Sequence, residues 1–428
     1  MASGLSSIVL QAPHRPVFFR GEAYHAQKMY WHGSQRSIAP EETFEKIRPH
    51  FRTIGLTRLC NITGLDRIGI PTVLSVRPNS GYLSVDAGKG FTPIAAMVSA
   101  AMECFERYAA EAVRPPELKC SWNDLGTGPS TIPLHRLPLA RNSLFRPNRL
   151  ERWTLGWDLI QQKEVFVPVM LVTMERHRCT LAESISFQLS SNGLSSGNNF
   201  LESICGGILE VIERDAVACC RIAWETGGCP PPRVRLDTVE HLEACEVIER
   251  LDRAGIRVVL FDCTVDTGVP TYMAYLFDRL VPRMGVYRGY GTHLDPAIAM
   301  VRALTEAVQG RLIFIAGSRD DAFRHHRRFQ DEWETTLQAI DGIEATADAR
   351  QRTSLATSTF EGDVQVLLEK LVRAGLDQVI VFDLSMPETG VSVVRVIVPG
   401  LEGYMFETYS PGSRGKASLD QAKAGQTR

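Results

Sequence analysis

The chain has 428 residues, 44% hydrophobic and 22% charged, a composition typical of a globular protein with one large domain or a few average ones. Its net charge of −2 argues against a general binder of nucleic acids or other polyanions. The sequence has neither an apolar run long enough to span a membrane nor an N-terminal secretory signal. We therefore expect a cytoplasmic protein with no membrane and no nucleic-acid partner.

The ten cysteines show no C-x-x-C spacing, and most of them lie inside apolar segments. A structural zinc site needs paired ligand spacing and is therefore not expected. Small buried thiols in a reducing compartment are the simpler interpretation.

The first predicted elements are a helix and a β-hairpin. Residues 1–35 form an irregular N-terminal extension. Pro40, at a first helical position, starts a helix over Ala39–His50. Gly55–Arg77 then indicates two strands joined by a turn.

The same layout recurs twice further along the chain. Glu240–Arg253 predicts a helix before a hairpin over Ala254–Phe277, and Asp363–Arg373 predicts one before a hairpin over Ala374–Val398. We interpret the three units as a degenerate internal repeat in a mixed α/β (α+β) fold. One such unit cannot bury its own apolar faces, whereas three could share a core around a mixed sheet. Three unrelated hairpins remain the alternative.

Between the first two units, a strand ends at Gly88-Lys89-Gly90, after which Thr92 caps a helix that Pro93 begins. Gly-Lys-Gly before a helix N-terminus can present N–H groups and an ammonium to a phosphate, although it is also an ordinary tight turn. The helix is uncharged as far as Met102. It then carries polar residues on one stripe: Ser99, Glu103, Glu106 and Arg107.

A second helix follows the loop within Ser191–Arg214, SNGLSSGNNFLESICGGILEVIER. Asn198 or Asn199 can cap it. Three carboxylates lie within roughly 80° of each other on one side of an otherwise apolar helix, namely Glu202, Glu210 and Glu213. Unpaired charges are costly to bury, so a cation should meet them.

The third helix lies in Gly289–Arg311, where Asp295 caps and Pro296 opens it. Its polar residues fall within about 60° of one another: Arg302, Glu306 and Gln309. Beyond it, residues 318–362 indicate an exposed insertion, and residues 412–428 form a polar tail that we expect to be disordered.

Converging carboxylates require cations, and ligation by oxygen alone suits Mg²⁺. Arginines beside them, Arg107, Arg214 and Arg302, would bind phosphate oxygens. Neutral hydrogen bonds would come from Ser195, Asn198 and Gln309. This composite indicates a nucleotide–Mg²⁺ site on helix faces without a Walker A loop. Glu–Arg pairs internal to each helix are the alternative.

These motifs resemble the ATP-binding signature of YcaO proteins: Ser99-x-x-x-Glu103-x-x-Glu106-Arg107, Ser195-x-x-Asn198-x-x-x-Glu202, Glu210-x-x-Glu213-Arg214 and Arg302-x-x-x-Glu306. The resemblance covers about residues 36–405 and places a YcaO domain at residues 36–411. The pieces APEET and ITGLDRIGIP resemble the branch whose partner is a TfuA-type protein.

The resemblance implies binding of ATP and Mg²⁺ and phosphorylation of a peptide backbone amide oxygen in a ribosomally made peptide. External sulfide would give a thioamide, and a substrate Cys, Ser or Thr would give an azoline. It implies these metal ligands: Glu103, Glu106, Glu202, Glu210, Glu213 and Glu306. It implies nucleotide contacts at Ser195, Asn198, Arg214 and Arg302, and phosphate and ribose contacts at Arg36 and Thr43. The other candidate nucleotide-binding residues are Lys89, Ser99, Arg107 and Gln309.

One departure separates the chain from azoline-forming members, which often end in Pro-x-Pro-x-Pro. Here only Pro399 and Pro411 stand near the end, which favours thioamidation. The first 35 residues are too few for a leader-binding winged helix, so we expect a TfuA-type or leader-binding partner protein. The alternatives are a cyclodehydratase, a non-catalytic nucleotide-binding accessory protein and a carboxylate-rich metal hydrolase. Large apolar helices are compatible with a homodimer.

Overall fold

The computed structural model describes residues 15–125, 131–175, 179–318, 333–403, 405 and 409–426. Its helices are α1 (Pro40–Ile47), α2 (Pro93–Ala112), α3 (Trp122–Leu125), α4 (Val169–Val172), α5 (Leu181–Ser186), α6 (Phe200–Glu225), α7 (Leu242–Arg253), α8 (Pro296–Ala316), α9 (Trp333–Asp341), α10 (Phe360–Arg373) and α11 (Ser413–Gln426). No helix in these ranges is both long and apolar enough to cross a membrane.

The strands are β1 (Val17–Phe19), β2 (Glu22–Tyr24), β3 (Arg58–Asn61), β4 (Thr72–Val76), β5 (Val85–Lys89), β6 (Leu118–Ser121), β7 (Leu150–Asp158), β8 (Lys163–Pro168), β9 (Leu194–Gly197), β10 (Arg233–Val234), β11 (Ile256–Asp262), β12 (Thr271–Asp278), β13 (Val286–Thr292), β14 (Ala345–Ala347), β15 (Ile380–Asp383) and β16 (Ser392–Ile397). Apart from the β1–β2 hairpin, they form three open sheets. The orders are β3-β4-β5, β13-β12-β11-β10-β14, and β6-β7-β15-β16-β9 with β8 on β7.

The mixed helix-and-sheet architecture and the three helix–hairpin units are confirmed. The idea that the hairpins share one sheet is wrong, because each hairpin lies in a different sheet. Each hairpin gains a third strand that leads into a long helix: β5 into α2, β9 into α6, and β13 into α8. The recurring unit is therefore a three-stranded antiparallel ladder with one long helix.

The three long helices are arranged cyclically. Helix α2 packs on its own strand β5 and also on β9, α6 packs on β9 and on β13, and α8 packs on β13 and on β5. A polar stripe on each helix is thereby directed toward the centre that the three share.

Close approach of helix to strand depends on glycine at the contact. A Cβ on Gly88 of β5 would lie 2.0 Å from the Ala100 backbone nitrogen of α2. A Cβ on Gly289 of β13 would lie 2.1 Å from the Ala303 carbonyl oxygen of α8. Because both neighbours are backbone atoms, a side chain at either position would push the helix off its sheet.

The tail predicted to be disordered is instead helix α11, which packs on α6. Its Arg414 Nε and Nη2 each donate to a carboxylate oxygen of the fully buried Asp215 at 2.8 Å. The buried Glu402 accepts from the backbone N–H of Gly412 at 2.9 Å and of Gly415 at 2.7 Å. The local sequence is polar enough to be disordered, but two distant buried carboxylates need these donors.

Arg414→Ala is therefore expected to lower the free energy of unfolding by about 3 kcal/mol, because it leaves Asp215 buried without its cation. Urea unfolding followed by circular dichroism measures this. In the control Arg373→Ala, the lost pair with Glu369 is exposed (73% and 69% for the two side chains). That change should stay within about 0.5 kcal/mol; equal losses in both variants would contradict the role given to Arg414.

Candidate functional site

The three long helices begin where local capping places them. The Thr92 hydroxyl accepts from the Ala95 N–H, and Asp295 accepts from the Ala297 N–H. At α6 the cap is Asn199, whose side chain accepts from the Glu202 N–H at 2.9 Å. These caps fix the start of each helix, and the helical period then fixes the direction of each polar stripe.

The stripes meet at one cavity of about 360 Å³. Fourteen of the sixteen residues that the sequence assigned to a site line it: Arg36, Thr43, Lys89, Ser99, Glu103, Glu106, Ser195, Asn198, Glu202, Glu210, Glu213, Arg214, Arg302 and Glu306. They come from α2, α6 and α8, from strands β5 and β9 and their following loops, and from the N-terminal part of the chain. The structure thus brings together residues that are more than 250 positions apart in the sequence.

Arg107 and Gln309 do not line the cavity but stand behind residues that do. Arg107 donates to Glu103 at 3.0 Å and pairs with the buried Asp86. Gln309 donates to the Ala87 carbonyl oxygen at 2.7 Å and accepts from Lys89 Nζ at 3.1 Å. From these positions Arg107 and Gln309 hold the side chains of Glu103 and Lys89 in place, and neither lines the cavity where a ligand would bind.

Three of the carboxylates are held where ionisation is costly. Burial raises the pKa of Glu106 well above its usual value, with the nearby Glu103 adding to the shift. Burial raises the pKa of Glu210 to about 8, and burial also raises that of Glu213. The Glu210 side chain lines the cavity and is 25% exposed. Burial thus disfavours the charged form of all three carboxyl groups, and a bound cation would favour it.

The cations of the cavity do not balance its carboxylates. Six glutamates and four Lys or Arg side chains line it. Arg214 Nη1 lies 3.1 Å from Glu213 and Lys89 Nζ lies 3.5 Å from Glu306. Burial lowers the pKa of Arg302 to about 10, and Arg36 nearby also lowers it. An excess of oxygen ligands with raised pKa values fits a divalent cation such as Mg²⁺.

Among the residues described, no three His, Cys, Asp or Glu side chains already stand at metal-binding spacing. The fit to Mg²⁺ therefore rests on the six carboxylates, which are oxygen donors, and on the unbalanced charge.

Metal-free protein gives a direct test of this electrostatic account. In the folded protein the pKa of Glu210 lies above its usual value of 4.5. Between these two pKa values the folded state therefore keeps a proton that the unfolded state releases. The unfolding temperature in EDTA should therefore fall as the pH rises from about 5 and level off above about 8. Scanning fluorimetry should show Glu210→Gln becoming more stable relative to wild type across that window. A constant difference would contradict the shift.

Sequence reasoning missed two serines that hold the glutamates. Ser196 donates from its N–H and from its hydroxyl to the same oxygen of Glu106, both at 2.7 Å. The Ser37 hydroxyl donates to Glu202 at 2.6 Å. Each stands next to a residue that was identified, Ser195 or Arg36, but serines are too common in loops for adjacency to be a signal.

Glu202 differs from the other carboxylates, because the N-terminal part of the chain already satisfies it. Besides Ser37, Arg36 Nη1 donates to it at 3.2 Å, and its side chain is only 2% exposed. Lys46 Nζ donates to the Asn198 carbonyl oxygen at 3.2 Å, so α1 holds the start of α6 from the same side.

Comparison with known proteins gives consistent results. The family model described as YcaO cyclodehydratase, ATP- and Mg²⁺-binding, matches residues 87–402. A Rhizobium leguminosarum bv. trifolii protein in the tfuA 3′ region is 35% identical over 381 residues, which are 86% of this chain and 88% of the relative. The structure of YcaO from Methanopyrus kandleri bound with AMPPCP and Mg²⁺ is 27% identical, with a TM-score of 0.71 over 90% of this chain and 100% of that one.

A heterocyclase in complex with substrate and cofactor has a TM-score of 0.77 over 92% of this chain, and at 21% identity it shows the fold alone. This chain spans about half of that protein, 55% of its length. The family model covers well over half of this chain, and a relative of similar length is 35% identical. The chain therefore belongs to the YcaO family, which is described as binding ATP and Mg²⁺.

Proposed function

We propose that this protein uses ATP and Mg²⁺ to activate a backbone amide of a ribosomally made peptide, and that external sulfide then replaces the amide oxygen to give a thioamide. The observation that carries the proposal is the cavity where α2, α6 and α8 present six glutamates together with Arg and Lys side chains. The match to a YcaO structure bound with AMPPCP and Mg²⁺ supports a nucleotide there.

The reaction balances without a protein nucleophile. Hydrosulfide adds to the amide carbon, the former carbonyl oxygen attacks the γ-phosphorus of ATP, and ADP leaves. The carbon–oxygen bond then breaks, phosphate carries the oxygen away, and a C=S bond forms as the proton is lost. Phosphorylation thus converts a poor leaving group into a good one.

The cavity residues have complementary roles in this scheme. Arg36, Lys89, Arg214 and Arg302 would bind phosphate oxygens, as cationic donors do. Thr43, Ser99, Ser195 and Asn198 would hydrogen-bond to the rest of the nucleotide. The glutamates would hold Mg²⁺, which neutralises the charge that develops between the β- and γ-phosphates.

Two features indicate that the nucleophile comes from outside the chain, as sulfide or as a substrate side chain. Among the described residues that line the cavity there is no cysteine, so the chain itself offers no thiol there. The C-terminal helix α11 packs on α6 and contributes no lining residue from its described part. The relative from the tfuA region supports a TfuA-type partner that would deliver the peptide or the sulfur.

The second candidate is an azoline-forming cyclodehydratase acting on Cys, Ser or Thr, which the family description favours. Mass spectrometry separates the two after incubation of a candidate peptide with protein, partner, ATP and sulfide. A mass gain equal to exchange of oxygen for sulfur supports thioamidation. Loss of one water, without need for sulfide, supports cyclodehydration. ATP binding with neither product, and with no peptide-dependent phosphate release, would identify an accessory protein.

A further inference from the structure

The N-terminal strap, residues 25–37, lies outside the part of the chain that matches the family model, yet it forms one wall of the cavity. Its lining residues are Tyr30, His32, Gly33, Ser34 and Arg36. The strap is a narrow hairpin, in which Tyr30 and Arg36 exchange backbone hydrogen bonds at 3.0 Å. At the C-terminal end of the strap, Arg36 and Ser37 donate to Glu202.

One buried side chain connects the strap to the body of the protein. The Lys28 side chain is 0% exposed, and its ammonium donates to Asp363 at 2.5 Å and to the Thr357 carbonyl oxygen at 2.9 Å, both near the start of α10. The same ammonium donates to Gln35 Oε1 at 2.6 Å, on the returning arm of the hairpin. It also lies 5.6 Å from the ring centroids of Trp31 and Phe360.

The tip of the strap is fixed separately. The Gly33 N–H donates to Glu243 of α7 at 2.9 Å, and the His32 and Phe91 ring centroids are 5.2 Å apart. Gly33 has φ +68°, and a Cβ there would lie 2.2 Å from the Phe91 ring. The tip contact and the Lys28–Gln35 hydrogen bond thus hold the chain at Gly33 and at Gln35, directly before Arg36.

We propose that Lys28 is a positioning residue for the nucleotide site: by tying both arms of the strap to α10, it holds Arg36 and the strap wall in the binding arrangement before ATP arrives. The inference rests on the proposed use of this cavity for ATP. The Arg36 side chain is 43% exposed and pairs with Glu202 at 3.2 Å, so its position depends on that pair and on the backbone of the strap. Backbone hydrogen bonds of Ala26 with Phe360 and Glu361 hold the first arm of the strap in any case. Without the Lys28 tie, binding must therefore also order the returning arm, which weakens affinity.

Calorimetric titration with AMPPCP and Mg²⁺ tests this without relying on catalysis. Lys28→Met should weaken binding about tenfold. Gln35→Met keeps the Lys28–Asp363 pair but releases the returning arm. Gln35→Met should weaken binding several-fold with little loss of stability. If Lys28→Met does not fold, Gln35→Met alone tests the role of Lys28. Hydrogen exchange should also quicken at the Met29, Tyr30 and Arg36 amides in both variants.

Arg152→Met is the matched control, because it breaks a largely buried ion pair with Glu183 outside the cavity. It should lower stability and leave nucleotide affinity unchanged. Wild-type affinity in Gln35→Met, with unchanged exchange in the strap, would overturn the role of Lys28. Failure of the wild-type protein to bind AMPPCP and Mg²⁺ would instead overturn the proposed function, so the two failures are distinguishable.

Discussion

Glu210→Gln is expected to lower peptide-dependent release of phosphate from ATP by about 100-fold or more, because it removes a negative oxygen ligand at the point where charge develops. Glu210 lies on the cavity between Glu103 of α2 and Glu213 of its own helix, and both neighbours add to its pKa shift after burial. The amide keeps the size of the carboxylate but has no charge and replaces one acceptor oxygen with an NH2 donor. The loss should therefore fall mainly on kcat.

The control for this variant lies on the same helix. Glu225 ends α6, pairs with Arg221 and does not line the cavity. Glu225→Gln should keep wild-type turnover. A phosphate-release assay with saturating peptide compares the two variants, and equal turnover in both would remove Glu210 from the catalytic site.

Arg302→Met should weaken binding of ATP and Mg²⁺ by about 30-fold or more, the cost of truncating one member of a buried charge cluster. Arg302 faces Glu213 and Glu306 inside the cavity, and its Nη1 donates to the Thr292 carbonyl oxygen at 3.0 Å. Methionine fills a similar volume but offers no donor to a phosphate. Titration calorimetry measures the change.

Arg311 provides the comparison, since it lies further along α8 and outside the cavity. It is 3% exposed and pairs with Asp278 at 2.8 Å and Asp66 at 3.3 Å. Arg311→Met should lower the unfolding temperature and leave nucleotide affinity intact. If both variants lost nucleotide affinity in proportion to their loss of stability, the binding role proposed for Arg302 would be contradicted.

The polar stripes could be predicted from the sequence because the period of a helix is a local property. Once Asn199 or Thr92 fixes the start of a helix, the angle between Glu202 and Glu213 follows without any tertiary information. The helical period alone does not predict that the three helices converge. We expected convergence because carboxylates on apolar helices need a shared cation.

The sheet arrangement could not be predicted in the same way. The hairpins were identified from local pattern, but the pairing of each hairpin with a third strand was not. Strand β16, for example, pairs with β9 from a distant part of the sequence. The same limit explains Arg107 and Gln309. Both share the polar stripe, and only the structure shows that Asp86 and Ala87 hold them behind the cavity.

The two ends of the chain show how long-range contacts override local composition. Helix α11 is polar along its length, and its order comes from Asp215 and Glu402, both of them buried. The N-terminal strap has no hydrophobic period, and its contacts include the pair between Lys28 and Asp363, which are 335 positions apart. The residues of α11 and of the strap do not by themselves identify these distant partners.

We propose that the acidic faces of α2, α6 and α8 hold Mg²⁺ and the phosphates of ATP in one cavity. Crystals grown with AMPPCP and Mn²⁺ test it most directly, because the anomalous signal of manganese locates the metal independently of the nucleotide. We predict anomalous peaks within coordination distance of Glu103, Glu106, Glu210 and Glu213, with the phosphates beside Arg214 and Arg302. Nucleotide or metal bound elsewhere, with this cavity holding neither, would contradict the account.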